Sequence, residues 1–177
     1  KEIIRRPFFA KVLTNLEAKI VEPESELELI EAWWKRGGFN ETGQAIYNRQ
    51  DFLKRLSELK SQNLSNSVKR REIHPIDALD SLVVDGIIHV NSKSSTVDFT
   101  HDIFYEWSLL YLLLEDEHDW LNKIESFGQP PYISRVVELL AQREFIDDQW
   151  VSHLANPKFQ QLRSQWLRAW VIGPIGH

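Results

Sequence analysis

Apolar residues recur along this chain mostly at helical spacing, and polar or glycine-containing breaks separate the periodic segments. The first segment predicts a helix that opens at Pro7 and runs to about residue 21, because proline is tolerated in a first turn. After a polar break, Ser25 and Glu28 have the spacing of a capping box. The helix that follows is predicted to stop at Gly37 and Gly38, since glycine favours helix C-termini.

The next part of the chain predicts further helices around a polar loop. Residues 40–59 are expected to form one or two helices, with Asp51 as a cap for the second part. Residues 61–67 predict the loop, and Pro75 is expected to open another helix that ends at Asp85–Gly86. The apolar face of that helix is predicted to consist of Ile76, Leu79, Leu82 and Val83.

The hydrophobic period then changes from helical spacing to alternation. Residues 87–90 and 96–99 flank a polar turn and predict a β-hairpin. A helix follows at once, beginning near His101 and apolar on nearly all sides as far as Leu114. This order of elements, helices and then a hairpin, is typical of a winged-helix domain. A buried helix comes next.

The last third of the chain predicts helices only. Residues 132–142, 147–154 and 159–171 have helical spacing, and polar or proline-containing breaks separate them. Short consecutive helices can stack as pairs, so we interpret residues 116–177 as the start of a helical-repeat region.

Composition narrows the class of protein. The 177 residues contain no cysteine and carry a formal net charge of −5, so we expect neither disulfides nor general binding to nucleic acid. The longest apolar run, Trp107–Leu114, is far shorter than the roughly 18 residues that cross a bilayer. We therefore expect a cytoplasmic protein without membrane association. The chain contains no methionine, and we interpret it as part of a longer protein.

Motifs for catalysis are absent from the sequence. It has neither a Walker A motif nor a Gly-x-Gly-x-x-Gly loop, so by itself it is not expected to hold and hydrolyse a nucleoside triphosphate. No two histidines have the i, i+4 spacing of a zincin, and no Gly-x-Ser-x-Gly elbow is present. We therefore expect no catalytic residue and no metal site in this chain.

His101 is the strongest candidate for a binding residue. It stands at a predicted strand-to-helix junction, where unpaired amides and the helix dipole favour anions such as phosphate. The alternative is a structural histidine, hydrogen-bonded to a carbonyl, to Asp102 or to Glu106. The basic run Lys69–Arg71 could also contact phosphate, and its alternative is a solvated loop.

Two stretches of the sequence share features with one family. The first is Arg6-Pro7-Phe8-Phe9, and the second, Leu82–Leu114, contains L-x-x-D-G-I-I followed by V-x-F-T-H-D-x-x-x-E-W. They resemble, in the same order, the start of the helical lid and the end of the winged helix of STAND-class signal-transduction NTPases. These are AAA+-related switch proteins that include NACHT-type immune receptors. The resemblance covers about residues 5–115.

The resemblance implies roles for particular residues. In the family, a proline at the position of Pro7 packs on the adenine, and a histidine at the position of His101 contacts the nucleotide β-phosphate in the closed ADP state. An acidic and an aromatic residue at the positions of Glu106 and Trp107 pack the same helix. The resemblance therefore implies that Pro7 and His101 are nucleotide-binding residues in the intact protein.

The resemblance also implies a fold and a function. The fold would be mainly α, with a helical lid in residues 1–45, a winged helix with a short β-hairpin wing in residues 46–115, and α-helical repeat-like hairpins in residues 116–177. The function would be nucleotide-state sensing in an ATP-dependent switch protein, an ATPase whose P-loop core is missing from this chain. ATP or ADP would bind in the intact protein. The partners would be that core and proteins that contact the helical region.

Two other functions stay open. A winged helix can bind DNA or RNA, with an affinity that falls steeply with salt. Here the predicted helix before the hairpin carries Asp77 and Asp80 and no basic residue, which disfavours entry into a DNA groove. The chain could instead be a helical adaptor that docks a protein through exposed aromatic faces, near Trp33–Trp34 or Trp166–Trp170.

Overall fold

Helices make up most of the chain, and a small sheet interrupts them midway. The structure, a computed structural model, describes residues 7–16, 23–39, 41–63, 67–74, 76–115, 120–128 and 130–176. Its helices are α1 (Pro7–Asn15), α2 (Glu26–Trp34), α3 (Gln44–Asn63), α4 (Leu79–Val84), α5 (Asp102–Leu114), α6 (Trp120–Ser126), α7 (Ser134–Ile146), α8 (Trp150–Leu154), α9 (Pro157–Gln160) and α10 (Ser164–Ile172). Its strands are β1 (Val68–Lys69), β2 (Ile88–Asn91) and β3 (Thr96–Phe99), and short 3₁₀ turns span Arg70–Glu72, Pro131–Ile133 and Gly173–Gly176. This mainly helical fold with a short hairpin confirms the predicted fold class.

The sheet has the strand order β1-β3-β2 and is antiparallel throughout. Val97 of β3 pairs with Val68 on one side and Val90 on the other, and Val68 and Val97 are buried. The hairpin of β2 and β3 lies where alternation predicted it. Strand β1 was not predicted, because its two residues are too few to show any period. The elements around the sheet follow one another as α3, β1, α4, β2 and β3.

The predicted N-cap of α2 is confirmed, whereas the helix ends at Trp34, before the predicted stop at Gly37 and Gly38. Ser25 is the N-cap, and its hydroxyl accepts a hydrogen bond from the Glu28 amide at 3.2 Å. The Glu28 carboxylate accepts from the Glu24 amide at 2.7 Å, one residue earlier than a standard capping box. After Trp34 the chain turns at Gly37, whose φ of +59° is left-handed and favours glycine.

Two predictions for the following segment are wrong. Residues 44–63 form one continuous helix, and Asp51 lies inside it, where its carboxylate pairs with Lys54 at 3.1 Å. Ser61 also belongs to α3 instead of a loop. It is buried, donates to the Ser57 carbonyl and lies 2.9 Å from the Tyr105 hydroxyl. Because Ser61 is held in the core, α3 continues beyond the last leucine that has helical spacing. The prediction that Pro75 opens a helix falls outside the described residues.

Helix α4 is shorter and less buried than predicted. It begins at Leu79, so Ile76 precedes it. Leu79 and Leu82 are buried as predicted, whereas Ile76 and Val83 are each 39% exposed and are wrongly assigned to the core. A six-residue helix presents fewer than two turns, so only one side-chain pair reaches the core.

The C-terminal helices differ from prediction mainly in their bounds. Residues 132–142 correspond to α7, which runs on to Ile146, and residues 147–154 correspond to the shorter α8. Residues 159–171 are two helices, α9 and α10, because Asn156 caps a separate turn that begins at Pro157. At Gly173 an added Cβ would lie 2.6 Å from the Glu138 carbonyl oxygen, so close packing on α7 requires glycine there.

Six of the seven tryptophans are buried, and ring stacking of two of them, Trp33 and Trp120, joins pairs of helices. The Trp33 ring stacks on Phe104 with 5.5 Å between centroids and meets Trp107 edge-on at 5.3 Å. This aromatic cluster joins α2 to α5. Trp120 stacks on Trp170 at 5.3 Å and joins α6 to α10. Such rings bury large apolar areas and fix the angles between helices.

Arg49 is a charged residue within this core. Its side chain is 1% exposed and donates to Glu41 at 2.7 Å and to Asp85 at 2.5 Å. Arg49 belongs to α3, Glu41 to the loop after α2, and Asp85 caps α4. Gly38 lies against it, since a Cβ added there would be 3.1 Å from the Arg49 guanidinium and 2.5 Å from Ile87. A buried cation therefore joins three segments of the chain.

We predict that Arg49→Ala lowers the free energy of unfolding by about 3 kcal/mol, because breaking a buried ion pair leaves its partners without compensation. Urea denaturation followed by circular dichroism measures this change. Arg55→Ala is the control, because Arg55 lies on the same helix and pairs with Glu58 at the surface. It should cost less than about 0.5 kcal/mol. Equal losses in the two variants would show that burial of Arg49 is not the source of its effect.

Candidate functional site

His101 lies at the junction between β3 and α5, as the sequence predicts. Its backbone is extended, with φ −140° and ψ 141°, and it occupies the N-cap position of α5 without a capping bond from its side chain. The preceding residue, Thr100, is fixed by two groups: its amide donates to the Ile87 carbonyl at 3.0 Å, and its hydroxyl donates to the Gly86 carbonyl at 2.5 Å. The end of α4 and the start of β2 therefore set the position of His101.

The imidazole of His101 is exposed and contacts an aromatic ring of α1. The centroids of Phe8 and His101 are 4.9 Å apart in an edge-on arrangement, and Phe8 also meets Phe104 at 5.3 Å. The residue before Phe8 is Pro7, which is exposed as the first residue of α1. The contact with Phe8 places the first turn of α1, which begins at Pro7, next to His101.

The hydrogen-bond partners of a structural histidine are not found at His101. Across the part of the chain that the structure describes, its ring makes no hydrogen bond or ion pair, including with Asp102 or Glu106. Its recorded contacts are the rings of Phe8 and Phe104. In the first turn of α5 the Phe104 amide donates to the His101 carbonyl at 3.1 Å, whereas among the described residues the amides of Asp102 and Ile103 have no acceptor and no side-chain cap. These two amides and the imidazole can donate towards an anion.

One feature opposes anion binding at this site. Asp102, the first residue of α5, is exposed and carries a carboxylate at the positive end of the helix dipole. It offsets part of the attraction that the dipole offers to phosphate. A phosphate here would depend on the His101 imidazole for its main side-chain donor.

Glu106 lies one turn further along α5, within a cluster of charges between helices. Burial is the largest cause that raises its pKa; with the lowering effect of Arg135 and the raising effects of the negative charges of Glu26, Asp102 and Glu138, the pKa is about 7. Arg135 donates to Glu26 and to Glu138, each at 2.6 Å. The cluster joins α2, α5 and α7. The neighbouring Trp107 is fully buried, so both members of the acidic-aromatic pair face other helices of the protein.

The basic run Lys69–Arg71 lies apart from His101. It forms β1 and the start of the 3₁₀ turn, and its three side chains are exposed. Lys69 pairs with Thr96, at the end of β3 opposite to His101. The two candidate phosphate contacts are therefore not brought together.

A cleft that the sequence did not predict lies between α2, α5 and α7, with a volume of about 750 Å³. Trp34 and Tyr111 stack in its wall with 4.3 Å between centroids. Its lysines and its arginine are paired with carboxylates of the cleft: Lys35 with Glu31, Lys54 with Glu115 and Arg143 with Asp147. The His153 ring lies 3.0 Å from the Glu144 carboxylate. No motif marks these residues, because they converge from distant parts of the sequence. Because these side chains already pair with one another, they are not free to bind an anion.

Comparisons with known proteins find no match. No family model, curated protein or solved structure matches this chain. Within the described ranges, no helix combines the length and apolar character needed to cross a membrane. Among the same residues, no three or more acidic or histidine side chains are grouped so as to hold a metal ion.

We predict that Glu106 makes the protein less stable as the pH rises. Because the pKa is about 7 in the folded state and 4.5 in the reference state, the folded protein binds the extra proton between these values. Its contribution is therefore fully present below pH 4.5 and is lost as the pH rises through 7. Between about pH 5 and pH 8, we expect the unfolding free energy of the wild type to fall by about 2 kcal/mol more than that of Glu106→Gln.

Urea denaturation at the two pH values measures this effect. The control is Glu125→Gln, which neutralises an exposed carboxylate on α6. It should leave the difference in unfolding free energy between the two pH values unchanged. If Glu106→Gln showed the same difference in unfolding free energy between the two pH values as the wild type, another group would be responsible for the pH dependence.

Proposed function

We propose that this chain is a regulatory, nucleotide-state-sensing segment of an ATP-dependent switch protein. In this proposal a P-loop core, absent from this sequence, holds ATP or ADP, and His101 and Pro7 contact the nucleotide from the outside. The chain would have no catalytic residue of its own. The intact protein would be an ATPase, and the proposal places it in the cytoplasm.

The observation that carries the proposal is the position of His101. Its imidazole is exposed, has no hydrogen-bond partner among the described residues and stands at the N-terminus of a long helix. It contacts Phe8, which follows the exposed Pro7 directly. This contact brings the first turn of α1 next to His101, although the two are far apart in sequence. This arrangement supports a shared ligand.

A single contact at His101 has enough energy to bias a switch. A hydrogen bond to a charged group contributes about 1.5–3 kcal/mol, which is comparable with typical allosteric coupling energies. If the closed state depends on the β-phosphate of ADP, loss of that contact would favour a rigid-body rotation of the winged helix. The helices after α5 would then carry the change to protein partners. Exposed apolar side chains on α8 and α10, such as Val151 and Val171, support protein contacts in that region.

The alternative functions receive less support. An adaptor that docks near Trp33–Trp34 or Trp166–Trp170 would need an exposed apolar patch there. All four indoles are buried, and the exposed apolar side chains next to Trp170 are Val171 and Ile172. A DNA-binding winged helix would need a basic helix before the wing, whereas α4 and the turn before it present Asp77 and Asp80 to solvent.

We predict that His101→Ala, made in the intact protein, speeds ADP release by about 10- to 100-fold, because one charge-assisted hydrogen bond is lost. Stopped-flow fluorescence with a labelled ADP, chased by unlabelled nucleotide, measures this rate. His89→Ala is the matched control, since His89 is also exposed but lies on β2. It should release ADP at the wild-type rate. An unchanged rate in the His101 variant would refute the sensor role.

A further inference from the structure

The wing carries a group of cations that the structure leaves without partners. Lys69, Arg70, Arg71 and Lys93 are all exposed. Throughout the described ranges, their side chains form no ion pair and no hydrogen bond. Most other cations in the same ranges are paired, as Lys60 is with Asp98 at 2.6 Å. The four free cations stand out further because the whole chain has a formal net charge of −5.

The sheet holds these cations at one place. The Arg70 amide donates to the Ser95 carbonyl at 3.0 Å, which fixes the 3₁₀ turn against the turn of the hairpin. Lys93 lies in that same hairpin turn, where its amide donates to the Asn91 side chain at 3.0 Å. Lys69 pairs with Thr96 at the start of β3. Two segments that are distant in sequence are thus joined through the backbone, and we name Lys69, Arg70, Arg71 and Lys93 the wing cluster.

The surroundings of the wing cluster leave its charge uncompensated. Glu72 is the acidic residue next to it in sequence, and it has no ion pair with the cluster within the described residues. The side chain of Asp98, on the outer face of β3, is already bonded to Lys60. Val68 and Val97 point into the core, so Lys69 and its partner Thr96 face outwards. The cluster is therefore available to a negatively charged partner.

The type of anion follows from the extent of the cluster. It occupies a single turn and a hairpin tip, and the segment that follows it in the sequence carries the exposed acids Asp77 and Asp80. Nucleic acid has a high linear charge density and favours an extended basic surface, which four cations on a chain with a formal net charge of −5 do not provide. A short run of carboxylates has lower charge density and matches a local group of arginines and lysines. The observations favour an acidic polypeptide.

We propose that the wing cluster is a docking site for an acidic polypeptide segment, one rich in glutamate or aspartate. Arg70 and Arg71 can each form paired hydrogen bonds with a carboxylate, and Lys69 and Lys93 add point charges on either side. The site lies at the end of β3 opposite to His101, so it is separate from the proposed nucleotide contact. Because the groups are exposed, binding weakens as salt rises.

Fluorescence anisotropy with the purified chain tests this proposal. The probe is a fluorescein-labelled peptide of repeated Glu-Ser units, titrated at low and at high salt. The wing variant is Arg70→Glu with Lys93→Glu. The matched control is Lys11→Glu with Arg168→Glu, which makes the same change in net charge at two other exposed cations. Thermal unfolding of each variant shows that the fold is retained.

The expected result is salt-sensitive binding of the peptide that weakens about tenfold in the wing variant, because two attractions become two repulsions. The control should bind within about twofold of the wild type. The proposal is overturned if the peptide does not bind, if both variants lose affinity equally, or if the wing variant binds as the wild type does. A labelled DNA oligonucleotide that binds more tightly than the peptide, and only with an intact wing cluster, would overturn the choice of partner.

Discussion

The buried guanidinium of Arg49 is the constraint on which the arrangement of α2, α3 and α4 depends. A charge with 1% exposure is tolerated only where its partners are held in place, and Glu41 and Asp85 supply them from two other segments. The close approach of Gly38 completes this enclosure, since any side chain there would meet Arg49 and Ile87. The loop after α2, the middle of α3 and the end of α4 are therefore positioned together by one ionic interaction.

That constraint extends from Arg49 to the candidate site through a short series of contacts. Asp85 ends α4, and the next two residues supply the carbonyls that hold Thr100. Thr100 precedes His101, so the imidazole stands at a position fixed by the ion pair, the hairpin and the start of α5. The site is thus built on rigid elements, which favours a precise contact over an adaptable one.

Helix α5 connects the parts of the molecule that a switch would have to move. On one side it packs its Phe104 and Trp107 rings against Trp33 of α2, and on another its Glu106 lies among the charges held by Arg135 of α7. A rotation of α5 relative to α2 would expose these rings to water at a large cost. A rotation that carries α1 to α5 together would keep them buried. If the chain acts as a switch, the aromatic cluster favours the second kind of motion.

The sequence by itself determined the features that depend on neighbouring residues. The Ser25 cap, the turn at Gly37, the hairpin and the helix start after His101 were predictable, because capping bonds, backbone sterics and side-chain alternation act within a few positions. Tertiary structure alone decided the burial of Arg49, the exposure of Ile76, the raised pKa of Glu106 and the contact of Phe8 with His101. Each of these depends on which distant segment supplies the next side chain, and with it the loss of water and the local charge. The spacing of apolar residues along the sequence does not show which distant segments will come together.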